Sequence, residues 1–166
     1  GAVAAESLGA GADLRPGETA GMLFNPEEGA SMAALASELE RVLREDESTS
    51  GTSVDLKTDE FETGWIVLHN RTFDNLVASV QALNETLFQR GNGDRLLAAV
   101  IRWDFERMPA YWIYNYKRGF FYPLVRNRSD GRDNEAELRL GGLMESASIA
   151  IESSIDRWYA LSGIPF

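Results

Sequence analysis

Ala110-Tyr-Trp-Ile-Tyr-Asn-Tyr-Lys-Arg-Gly-Phe-Phe-Tyr-Pro-Leu-Val125 is the stretch whose reading decides the fold. Aromatic and branched residues fill both of its arms, and such side chains suit the pleated, half-buried surface of a sheet. Lys117-Arg118-Gly119 interrupts the run, and a Gly at an interruption supplies the backbone freedom that a tight turn demands. The stretch therefore reads as a β-hairpin of residues 111–116 and 120–125. Pro123 has no N–H to give to a ladder, which places the second arm at a sheet edge.

Upstream, Leu96–Glu106 ends in alternation, with Ile101, Trp103 and Phe105 on one side and Arg102, Asp104 and Glu106 on the other. That is the pattern of a half-buried strand, and Arg107-Met108-Pro109 reads as the turn after it. Before it, Thr72 is placed to cap a helix. Phe73, Leu76, Val77, Val80, Leu83, Leu87 and Phe88 form its apolar stripe, and Gly91 its stop. Val54–Phe61 and Trp65–Leu68 read as strands bent at Gly64. Asn25-Pro26-Glu27-Glu28 predicts a helix start, with Asn as cap and Pro in the first turn. Met32, Leu35, Leu39, Val42 and Leu43 give that helix its buried face, and Thr19–Phe24 reads as a strand in front of it.

Downstream, Arg126–Arg132 is a polar loop, and Asp133 or Asn134 starts a third helix with Ala136, Leu140, Leu143, Met144 and Ala147 on one face. Gly141-Gly142 costs that helix about 1 kcal/mol per Gly relative to Ala, so a short or broken helix is expected. The tail carries Trp158, Tyr159, Leu161, Ile164 and Phe166 and is predicted to dock on the body; residues 1–16, rich in Ala and Gly, are predicted to pack loosely. The order β-α-β-β-α-β-β-β-α predicts one α+β domain over residues 1–166. It is a mostly antiparallel sheet of five to six strands with helices packed on one face. At fold level this order resembles type III secretion chaperone and YbjN-like sandwiches.

The 166 residues carry a net charge of −10 and no Cys. Absence of Cys removes disulfides, thiol catalysis and zinc–thiolate sites together. Through Glu62 there are fourteen acidic and four basic residues, which accounts for the whole charge deficit. Such acidity disfavours nucleic acid, whose phosphates need Lys and Arg. No apolar run reaches the length of a membrane span and no signal-peptide pattern is visible, so a cytoplasmic protein without membrane insertion is expected. Gly91-Asn92-Gly93 is followed by no Gly-Lys-Ser/Thr, so it is no phosphate loop, and no cofactor or metal site is expected. Asp59, Glu60 and Glu62 lack the spacing of a calcium loop. His69 is the single His, with no second His at ligand spacing and no nucleophile elbow, and is expected to end a strand at the surface.

Three blocks carry a family resemblance: Tyr116-Lys-Arg-Gly-Phe-Phe-Tyr-Pro123, Arg132-Asp-Asn-Glu-Ala-Glu-Leu138 and Arg157-Trp-Tyr-Ala-Leu161. Together they resemble the PspA-associated PspAB family, linked to the phage-shock envelope-stress system. The resemblance implies a non-enzymatic binding or regulatory module. Its partner would be a PspA-type protein, a long charged coiled coil, and it would work near the inner face of the membrane. It brings no catalytic residues with it.

The candidate partner-binding residues are Lys117, Arg118, Tyr122, Arg126, Arg132, Asn134 and Arg139. Lys117 and Arg118 sit at the predicted hairpin tip, where neither has an apolar role, and reversing both charges is expected to leave folding intact. Arg126, Arg128 and Arg132 would extend the tip into a basic strip. The competing reading is structural: aromatics as core, Asp133 as a helix cap, and Arg132 paired with Glu137. Two other functions stay open, a chaperone-like homodimer holding an extended segment, and a small ligand-binding protein or hydrolase.

Overall fold

The computed structural model describes residues 13–129 and 131–166. β1 (Leu14–Phe24) leads to α1 (Met32–Arg44), β2 (Ser53–Thr58) and β3 (Gly64–His69). Then come α2 (Phe73–Gln89), β4 (Leu96–Phe105), β5 (Met108–Asn115), β6 (Phe120–Val125) and α3 (Asn134–Ser146). The strands form one six-stranded sheet in the order β2-β3-β1-β4-β5-β6. Every neighbouring pair is antiparallel. The hairpin that decided the reading is β5–β6, with Gly119 in the left-handed conformation at φ 75°.

Alternation along β4 assigns the two faces. Ala99, Trp103 and Phe105 point to the helices, whereas Ala98 and Val100 point away. On the helix face, Leu39 and Leu43 of α1 and Leu76, Val80, Leu83 and Leu87 of α2 pack on Met22, Ile66 and Leu68. Ala136, Leu140 and Met144 of α3 pack beside them on Trp103, Trp112 and Val125. All three helices thus lie on one side. The chain's last segment covers the other: Trp158, Leu161, Ile164 and Phe166 pack on Trp65, Val100, Ile113 and Leu124. Tyr111 Oη donates to the Phe166 carbonyl at 2.6 Å. Gly21 admits the Phe166 ring, since a Cβ there would lie 2.7 Å from Phe166 Cε1. The docked tail is as the sequence implied.

Several boundaries differ from expectation. β1 starts at Leu14, not Thr19, so residues 14–16 are strand; residues 1–12 of the segment read as loose lie outside those described. At Pro16 β1 pairs only with β4, so Pro16 opposes no second ladder. α1 begins six residues after Pro26. Gly29 is left-handed at φ 76°, which ends the first turn, and Ser31 caps the helix by accepting from Ala34 N. The turn after β4 is Glu106-Arg107, both left-handed, and Met108-Pro109 already belong to β5. Phe61 and Phe88, read as a strand end and a stripe position, are 78% and 52% exposed. Gly141-Gly142 does not break α3. A Cβ at Gly141 would lie 3.0 Å from Trp158 Cη2, so this Gly lets the tail approach the helix.

β6 is the edge strand, as Pro123 required, and its outward groups at Phe121 and Val125 are occupied. Phe121 N donates to the Ala150 carbonyl, and Glu152 N to the Phe121 carbonyl, both at 2.8 Å. Pro123 has no donor. Val125 N donates to Glu137 Oε2 at 3.0 Å, and Asp133 N to the Val125 carbonyl at 2.8 Å.

Candidate functional site

The residues around the β5–β6 turn and the start of α3 fall into two groups. The first is committed to the fold. Arg118 pairs with Glu152 at 3.2 Å, and Glu152 is only 4% exposed. A carboxylate buried to that degree needs a cation, so Arg118 has a structural task that its place in the turn did not reveal. Arg157 reaches the same carboxylate at 3.7 Å. Arg132 Nε donates to Glu137 at 2.7 Å, the ion pair that the structural reading foresaw. Asp133 caps α3, accepting from Ala136 N at 3.0 Å. Arg139 makes a bidentate pair with Glu106 at 2.9 and 2.7 Å. Tyr122 is 4% exposed on the tail-covered face, and burial pushes its phenol up to about 12. It cannot meet a partner protein without moving the tail. Arg126 lies 5.5 Å from the Tyr111 ring, a cation–π distance.

The second group is open. Lys117 and Asn134 are exposed, and Lys117 makes no ion pair among the described residues. Two cations of the expected basic strip, Arg118 and Arg132, are thus neutralised within the fold, and the charge reversal at Arg118 expected to be harmless would set two carboxylates against each other. Around Lys117 lies something the sequence reading missed. Phe88 approaches Tyr116 with ring centroids 6.2 Å apart, Tyr116 N bonds to the Leu97 carbonyl, and Phe120 pairs with Asn115. Phe88, Leu97 and Phe120 are all exposed; Phe88 and Leu97 lie beside Tyr116 on the helix face, and Phe120 lies on the opposite face with Tyr122, so both faces at this end of the sheet show apolar side chains. Phe88 was hidden by its fit to the helical period; only its place one turn before Gly91 hinted that it overhangs the body.

His69 is exposed at the end of β3, 3.8 Å from Glu18, where the sequence put it. Asp59 turns the β2–β3 hairpin by accepting from Phe61 N and Thr63 N, each at 2.9 Å. Among the described residues no cluster of three His, Asp or Glu could hold a metal ion. No helix among them is long and apolar enough to cross a membrane.

An antiparallel six-stranded sheet with three helices on one face makes this an α+β domain. The chain belongs to the PspAB family, described as PspA associated protein B, whose family model matches residues 2–166. No curated protein and no solved structure matches the sequence, so the likeness to chaperone and YbjN-like sandwiches gains no support.

Proposed function

We propose that this chain is a non-enzymatic binding module that regulates or assists a PspA-type coiled-coil protein in the membrane-stress response. It docks through the sheet end around the β5–β6 turn and works in the cytoplasm, beside the membrane through that partner. Membership of a family described as PspA associated supports the partner. The observation that carries the surface is the exposure of Phe88 and Leu97 beside Tyr116, the residue before Lys117, which makes no ion pair among the described residues. Apolar anchors with a neighbouring cation suit a helical partner surface that shows apolar side chains beside carboxylates. Asn134, at the start of α3, and Arg139, paired with Glu106 at the β4–β5 turn, take no part in it.

The test is co-purification of the tagged chain with the PspA homologue of its source organism, against an unrelated acidic protein as control. Enrichment of the homologue is expected. Lys117→Glu should slow association, more at low salt than at high, because exposed charges steer encounters and salt screens them. Recovery no better than with the control would overturn the reading.

A further inference from the structure

β2 (Ser53–Thr58) is a border of the sheet, and among the described residues no strand lies outside it. Two bonds tell which of its backbone groups face outward. Asp59 N donates to the Thr63 carbonyl at 2.9 Å, one step past the Thr58–Gly64 pair. In an antiparallel ladder, residues bonded to the neighbouring strand alternate with residues that are not. Ser53, Asp55 and Lys57 therefore bond to β3, while Val54, Leu56 and Thr58 turn their N–H and C=O groups to the border. The far side of β3 agrees. Asn70 N donates to the Glu18 carbonyl at 2.9 Å, so Leu68, Ile66 and Gly64 bond to β1 and leave His69, Val67 and Trp65 for β2. Side chains divide by face: Val54 and Leu56 pack on the helix-face core, and Asp55 and Lys57 are exposed on the other, 3.9 Å apart.

Such an edge is complementary to itself. Laid antiparallel against a second copy about a two-fold axis at Leu56, it sets Leu56 opposite Leu56 and Val54 opposite Thr58. These are the residues with outward groups, so each pair exchanges both of its hydrogen bonds. Asp55 then faces Lys57 of the second copy, and Lys57 faces its Asp55, at the closely spaced positions of the ladder, where opposite charges attract. Other registers lose this. A slip of one residue offers the outward groups to residues already bonded to β3. A slip of two sets Asp55 against Asp55, or Lys57 against Lys57, and like charges directly opposite are destabilising. On the helix face, a second α1 would come alongside the first. Glu38 of α1 pairs with Arg90 at the end of α2, so by the helical period Ala33 and Ala36 lie on the side of α1 turned away from α2, and small side chains there allow a close approach. We propose that two copies of this chain pair through β2 in the register centred on Leu56. β2 and β6 are opposite borders, so the proposal is independent of the docking surface above.

Sedimentation equilibrium of the full chain should show a reversible dimer. Asp55→Lys and Lys57→Asp should each weaken it about tenfold or more, since each sets like charges opposite one another at both ion pairs. An equimolar mixture of the two variants should recover an affinity near that of wild type, because their strands are complementary again. That recovery also shows both variants to be folded. The chain has no Cys, so disulfides read the register. Asp55→Cys mixed with Lys57→Cys should give a linked pair, because opposed residues lie within disulfide reach. Neither should link to itself, since the same residue on the two copies is then offset by two positions along the strands. If a charge variant loses cooperative unfolding in urea, the Cys variants still decide the register without adding charge. A chain that stays monomeric up to about 1 mM, a mixture no tighter than its parts, or a Cys variant that links to itself as fast as the mixture would each overturn the proposal.

Discussion

Replacing Glu137 tests how the β6 edge is held. Its carboxylate is 2% exposed, takes the Val125 N–H at 3.0 Å and holds Arg132 at 2.7 Å. Glu137→Leu keeps the volume and removes both bonds. Val125 is fully buried, so water cannot replace the lost acceptor, and an orphaned donor costs about 1–3 kcal/mol. Arg132 is partly exposed and can turn to solvent, so its loss adds little, and the total stays below the ~3–5 kcal/mol of a sealed pair. Glu137→Gln keeps a carbonyl for Val125 and gives up only the charge, for about 0.5–1.5 kcal/mol. At this chain length each kcal/mol moves Tm by about 2–4 °C, so the two variants should separate in thermal and urea unfolding. Hydrogen exchange at the Val125 amide should speed up in the Leu variant and not in the Gln variant. A Leu variant as stable as the Gln variant, with that amide still protected, would refute the reasoning.

Glu137 also sets a pH dependence. Burial raises its pKa, and the bonds from Arg132 and Val125 pull it back only in part. The folded state therefore holds this proton more tightly than the unfolded chain does. Its stabilising contribution is full below the ordinary glutamate value and is lost as pH rises through the raised one.

Three further outcomes are expected. The difference in urea stability between wild type and Glu137→Gln should fall as pH rises from the ordinary glutamate range; a flat difference would mean that Glu137 titrates normally. Arg118→Glu should cost about 1–3 kcal/mol by facing the buried Glu152, moderated by the partial exposure of Arg118, while Lys117→Glu should stay within about 0.5 kcal/mol in the same urea titration. Gly142→Ala meets open space and should stabilise by about 0.5–1 kcal/mol, whereas Gly141→Ala should forfeit that gain and speed exchange of the Trp158 indole N–H.

Elements with a strong period were legible in the sequence. The α2 stripe, the β4 alternation, the β5–β6 turn and the edge position of Pro123 follow from side-chain chemistry within a few residues. What was not legible depends on contacts distant along the chain. Arg118 reads as a loose tip until Glu152, thirty-four residues on, is found beneath it. Gly141 reads as a helix breaker until Trp158 is seen against it. Asn70, between β3 and the Thr72 cap, carries no pattern of its own in the sequence, yet it ties Ser50, Thr52 and Thr72 into one polar junction.

The two borders of the sheet are unequal, and this limits how copies of the chain can associate. β6 has no free donor at positions 121, 123 or 125, while no strand among the described residues lies outside β2. Among the described residues, β2 is the border to which a further strand could be added. Two copies meeting there are related by a two-fold axis, and the doubled sheet ends in a sealed β6 on both sides. Edge pairing through β2 then gives a closed pair with no second open border among the described strands.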